Sequence, residues 1–362
     1  MTLNICFLSP ASPTPSGGVK VIYRLAELID KSYAPTIQAE ICSVHNPRFR
    51  CEWFEHNVKS RGGYKFDSAS DFLIIPEYMA GYIGDALLAS HIRYAIFVQG
   101  GYIICENHSI EVLAPIYEAA QFVISISKDT TNCVKLFFPD VSNKILQYRY
   151  ILEGAFSSSL DAKDNLITYM PRKIASHSRF VISALTPQLP ASWEISPIHN
   201  LSEFDVSRVL SRSRVFLSFS DQEGLGIPPI EAALSGNIVI GYHGEGGREY
   251  WKTPLFIEIQ KGNLIAFVHR TLELIHKIDK RQLVPSDALI AELRDQYSLS
   301  NQGHYLAAIV KSVIEAMNDI KKPNRGHKVN LSRYLGKPGF LRHANSTLRA
   351  RLTSLVQRHR RC

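Results

Sequence analysis

Twice along this chain, short and mostly apolar runs alternate with longer stretches that are apolar on one side only. In the first 160 residues the strand-like runs are 4–8, 37–42, 72–75, 94–98 and 122–126, with helical patterns around 84–91 and 109–121. The first run leads into a turn-rich loop ending Ser16-Gly17-Gly18. After it, Val19, Ile22, Tyr23, Ala26 and Ile29 fall on one helical stripe. A strand that is apolar on both faces leaves neither for water, so it belongs in a parallel sheet covered by helices on each side. The pattern restarts at 165–170 and continues through 180–185, 215–219, 238–241 and 255–259, with helices expected at about 202–212, 228–235 and 262–278. The expected architecture is α/β, with two Rossmann-like domains, 1–160 and 161–300, facing a cleft and joined near the Ser-rich stretch 154–164. Helical patterns at 286–297 and 304–319 follow, and a helix within 301–320 is expected to pack back across the domain boundary. Ligands of such sheets bind outside the carboxyl ends of the strands.

Composition narrows the class further. A chain of 362 residues, 45% apolar and 20% charged, has the material for two or three ordinary globular domains. It has no run of 18 apolar residues, so no membrane-spanning helix is expected. The start, Met1-Thr2-Leu3-Asn4-Ile5-Cys6, lacks a basic segment followed by a long apolar one, and the expected address is the cytoplasm. Six cysteines are scattered without a Cys-x-x-Cys pair, which fits reduced thiols better than a zinc site. The net charge of +8 is unevenly spread: residues 321–362 hold 12 Lys/Arg and no acid, while the other 320 carry 29 basic and 33 acidic side chains. In that tail Ser346-Thr347 can cap a helix with Leu348, Leu352, Leu355 and Val356 on one side and arginines around them. A basic amphipathic helix suits an anionic membrane surface, which makes the inner membrane face an expected peripheral location. Nucleic acid is a poorer partner, because Tyr334 and Phe340 are the tail's only aromatic residues.

The most informative stretch runs from Val215 to Ala233. An apolar strand ends near Ser220, a loop carries Glu223, Gly224, Leu225 and Gly226, and Pro228-Pro229 opens a helix that contains Glu231. Glycines let a ligand approach the backbone, and the amides of a helix start favour an anion such as a diphosphate. A carboxylate next to that anion would repel it, so Glu231 is better used accepting hydrogen bonds from a neutral diol such as a ribose.

Glu223, seven intervening residues and Glu231, set in Ser-Asp-Gln-Glu-Gly-Leu-Gly-Ile-Pro-Pro-Ile-Glu-Ala, resemble the E-x7-E signature of retaining GT-B-fold glycosyltransferases, broadly glycosyltransferase family 4. The next strand and loop, 238–249, are similar to that family's continuation. The resemblance implies a nucleotide-sugar donor held mainly by the second domain, with Glu223 at hydroxyls of the donor sugar and Glu231 at the ribose. It also implies a role near the donor phosphates or sugar for Gly17 and Gly18, which resemble the family's glycine-rich loop. Arg172 and Lys173 follow the first strand of the second domain, near where the family keeps an Arg and a Lys that neutralise the departing diphosphate. The family separates the two by several residues, whereas here they are adjacent. Many relatives place a His near the position of Gln99, a candidate acceptor or sugar contact that can donate and accept but cannot titrate.

The expected activity is transfer of a sugar, with retention of configuration, to a glycan or lipid-linked acceptor. No Asp-x-Asp element or His-Glu-x-x-His spacing is present, so neither a metal nor another cofactor is assigned. An epimerase or phosphorylase on the same architecture and a non-catalytic partner subunit are the alternatives. Loss of Glu223 or the basic pair would favour the non-catalytic one, and all are present.

Overall fold

A computed structural model describes residues 2–152, 156, 163–252, 254–283, 285–319 and 327–335. The first domain contains β1 (Leu3–Pro10), α1 (Gly17–Tyr33), β2 (Ile37–Val44), β3 (Lys59–Ser60), β4 (Lys65–Asp67), β5 (Asp71–Pro76), α2 (Glu77–Ala89), β6 (Arg93–Val98), α3 (Ile110–Ala119), β7 (Val123–Ser125), α4 (Lys128–Phe137) and β8 (Ile145–Gln147). Seven strands form one parallel sheet in the order β3-β2-β1-β5-β6-β7-β8. Every residue of β5 and β6 is buried, as strands with helices on both faces must be. The stripe read from Val19 to Ile29 is buried, and so are Val21, Leu25 and Leu28 between its members.

The second domain contains β9 (Leu166–Tyr169), α5 (Ala175–Leu185), β10 (Glu194–Pro197), α6 (Glu203–Arg212), β11 (Val215–Glu223), α7 (Ile227–Leu234), β12 (Ile238–Glu245), β13 (Phe256–Glu258), α8 (Leu264–Asp279) and α9 (Asp287–Gln296). Its five strands are parallel in the order β10-β9-β11-β12-β13. Here one sequence reading is corrected: 180–185, expected as a strand, is the second half of α5. Ser178, Val181 and Leu185 are its buried positions, a helical spacing, while Phe180 is 49% exposed. The strand in that place is the less apolar β10, at the sheet edge.

The chain then returns to the first domain. α9 packs against α7, and the following α10 (Leu299–Asn318) packs against β8. The outward and return passages touch where the Leu152 amide donates to the Tyr297 carbonyl at 3.0 Å. Part of the segment read as tail also folds: β14 (Lys328–Asn330) pairs antiparallel with β4, and α11 (Ser332–Leu335) follows. Leu331 and Leu335 are buried in the first domain's core. The expected amphipathic helix at 346–356 and most of the 154–164 junction lie outside the described residues. Among the described residues no helix is long and apolar enough to cross a membrane.

Candidate functional site

The carboxyl ends of the two sheets meet across a cleft. On the second-domain side, β11 ends in a bulge between Ser220 and Glu223, with Gln222 at φ 46°. Gly226 then takes φ 77° as the N-cap of α7, a left-handed conformation that a side chain would strain. The helix begins at Ile227, one residue before the prolines. Two consecutive prolines supply no N–H, so the backbone donors available to an anion here are those of Gly224 through Ile227. Tyr250 fixes the turn from below, its hydroxyl donating to the Gly226 carbonyl at 2.5 Å. Leu225 is buried and packs the loop down.

Gly224 shows how closely the domains approach. A Cβ at that position would lie 1.7 Å from the Gln99 carbonyl oxygen, so only glycine allows this contact. Thr130 donates to the Gly224 carbonyl at 3.4 Å, and the Lys128 amide donates to Glu249 at 2.9 Å. Gln99 also borders the glycine loop: a Cβ on Gly18 would stand 3.4 Å from its Oε1, whereas Gly17 faces open space.

The expected residues largely converge. Lys173 Nζ lies 2.7 Å from Glu223 Oε1. Arg172 points across the cleft, donating to the Pro15 carbonyl at 3.1 Å. Gly18, Gln99, Glu223, Gly224, Arg172 and Lys173 thus form one neighbourhood linking both domains. Glu231 stands apart from it, in the second turn of α7, buried and ion-paired with the first domain.

Its partner, Lys20, is absent from the sequence reading. Lys20 Nζ lies 2.8 Å from Glu231 Oε1 and 2.5 Å from Glu203 Oε1. Arg24, a turn further along α1, reaches Glu203 at 3.4 Å and Glu27 at 2.8 Å. Burial alone would lower the Lys20 pKa, but Glu231, Tyr150 and Glu203 together raise it above the usual lysine range. One signal stands in the sequence: Lys20 interrupts the apolar run Val19-Lys20-Val21-Ile22-Tyr23, all of which is buried, and a lysine enclosed in this way needs a partner.

Glu77, the first residue of α2, was also missed. It is buried behind the cleft and accepts a hydrogen bond from the Gly100 amide at 2.8 Å, holding the loop that carries Gln99. Burial pushes its carboxyl up to about 7, against the pull of the Gln99 and Gly100 amides. Among the described residues, no three His, Cys, Asp or Glu side chains are grouped to hold a metal ion.

No family model matches the chain, and no curated protein sequence matches it significantly. Solved structures do. A sucrose-phosphate synthase from Thermosynechococcus elongatus aligns with a TM-score of 0.66 at 12% identity, covering 87% of this chain and 100% of that one. HepE from Anabaena, solved in complex with UDP, gives 0.62 at 12% identity over 86% of this chain and 100% of its own. The lipopolysaccharide outer core galactosyltransferase WaaB gives 0.59 at 12% identity over 87% and 100%. The two parallel sheets and the cleft between them are therefore the GT-B fold, which this chain shares with these glycosyltransferase structures along most of its length.

Proposed function

We propose that this chain is a retaining glycosyltransferase of the family 4 type, moving a sugar from a nucleotide donor to a glycan or lipid-linked acceptor. The observation that carries the reading is the Glu223–Lys173 pair at 2.7 Å, set between the Gly224–Ile227 amides and the Gln99–Gly18 wall. In such a reaction the nucleoside diphosphate departs with growing negative charge while the sugar gains oxocarbenium character. Arg172, Lys173 and the loop amides answer the first change as fixed donors that need no rearrangement. Lys173 exchanges Glu223 for the phosphate, and Glu223 turns to the sugar hydroxyls. The reading assigns no metal, since side-chain cations stand at the leaving group. Gln99 orients a hydroxyl of the acceptor or the sugar, and the acceptor proton goes to the departing phosphate. The HepE structure holds UDP, so a uridine diphosphate donor is the first to try.

Replacing Glu223 tests the reading. Glu223→Gln should lower turnover on the order of 10²–10³-fold while UDP binding, read by titration calorimetry, stays near the wild-type value. Unchanged turnover would remove Glu223 from the mechanism, and conversion of donor without any acceptor would favour an epimerase.

A further inference from the structure

Around Glu223 and Glu231 four acids have basic partners, and Lys20 serves two of them at once. Glu223 pairs with Lys173, Glu27 with Arg24, Glu203 with Arg24 and Lys20, and Glu231 with Lys20. Arg172 donates to a carbonyl and to none of these acids. Lys20, Glu203 and Glu231 are nearly enclosed, with side-chain exposures of 10%, 14% and 8%. The Phe156 ring lies 5.4 Å from the ammonium. Two carboxylates from the second domain therefore meet one cation from the first, where water screens little. Take the cation away and the two acids repel each other and any anion that enters beside them.

We propose that Lys20 is a positioning residue for a nucleoside diphosphate. It neutralises Glu203 and Glu231, so that an anionic donor can lie next to them, and it fixes the Glu231 carboxylate for the ribose. A carboxylate has two oxygens and about four acceptor sites, so the bond to Lys20 does not exhaust Glu231. Lys20 lies two residues beyond Gly18 on α1, and the same side chain thereby ties the glycine loop's helix to the donor domain. Arg172, with no acid to serve in this cluster, is left for the phosphates. The inference rests on the donor-site reading above and adds a residue from the opposite domain.

The test is titration of the full chain with UDP, together with donor KM, kcat and thermal melting for four variants. Lys20→Met should weaken UDP binding by about tenfold or more and raise donor KM by a similar factor, with kcat changed less than about threefold. Lys20→Arg should stay within about threefold of wild type in both. Lys20→Met combined with Glu203→Gln should recover most of the lost affinity, because the excess negative charge is gone; a purely structural role for Lys20 predicts no such recovery. Should Lys20→Met fail to fold, Glu203→Gln alone decides: it leaves Lys20 to Glu231 and should tighten UDP about twofold, most clearly at low salt. Wild-type affinity in Lys20→Met, no recovery in the double variant, or a tenfold loss in Glu203→Gln overturns the inference. A wild-type chain that binds none of UDP, dTDP and GDP overturns the donor-site reading and this inference together.

Discussion

Two buried lysines grip the same pair of helices from opposite ends, and their partners differ in kind. Lys163, of the second domain itself, holds its ammonium within hydrogen-bond distance of four carbonyls: Leu210 at 3.3 Å, Ser211 at 3.1 Å, Ser213 at 2.6 Å and Ser235 at 2.7 Å. These are the carboxyl ends of α6 and α7, where a cation complements the helix dipole. Lys20 comes from the other domain and holds Glu203 at the start of α6 and Glu231 within α7. The carbonyl-bound lysine is pushed down to about 7 by burial and by Arg214, while the acid-bound one is raised. A lysine that stitches helix ends together serves the fold. One that spends its charge on acids facing a cleft serves whatever enters the cleft.

The largest expected effect breaks the comparison at its structural end. Lys163→Met takes a donor from the Ser211, Ser213 and Ser235 carbonyls, while Leu210 keeps the Asn237 amide, and should cost about 3 kcal/mol of stability, read by denaturant unfolding. Because the unfolded lysine holds its proton up to about pH 10.5 and the folded one only to about 7, stability in the wild type rises with pH across that window. The variant should lose this rise. Its folded fraction should bind UDP as wild type does; loss of binding without loss of stability would erase the distinction between the two lysines.

Glu77 provides a control, a buried carboxyl held by amides alone. Its carboxyl keeps a proton to about pH 7 in the folded state and to about 4.5 in the unfolded state, so it makes stability fall as pH rises between those values. At 1.36 kcal/mol per pKa unit the fall amounts to about 3 kcal/mol at most. Glu77→Gln keeps an acceptor for the Gly100 amide and should abolish that fall, leaving the variant at least as stable as wild type at pH 8. An unchanged slope between pH 5 and 7 would assign it to another group.

The smallest effect probes the helix both lysines share. The Ser202 hydroxyl accepts from the Asp205 amide at 3.2 Å and so caps α6 immediately before Glu203. Ser202→Ala should cost about 1 kcal/mol and weaken UDP binding less than Lys20→Met does. An affinity loss as large as that of Lys20→Met would mean that helix order, and not charge, governs the site.

The sequence made some of this legible and hid the rest for definable reasons. β5, β6 and β11 stand out because a strand enclosed on both faces carries a nearly unbroken apolar run. β10 does not, since an edge strand with partly exposed residues carries no such run, and 180–185 imitates one inside a helix. Glu223, Gly224 and Gly226 are readable because strand end, glycines and prolines follow one another within a dozen residues. Lys20 and Glu231 are 211 residues apart, and no local pattern joins them. Glu203 reads equally well as an ordinary acid in a helix's first turn, which it also is.

The bond between Leu152 and Tyr297 ties together the two strands of chain that pass from one domain to the other. The outward and return passages are thus fastened side by side at one point, so a change in the course of either is felt by the other. The rim where Gly224 meets Gln99 lies between the same two lobes, and a side chain at 224 would wedge it apart.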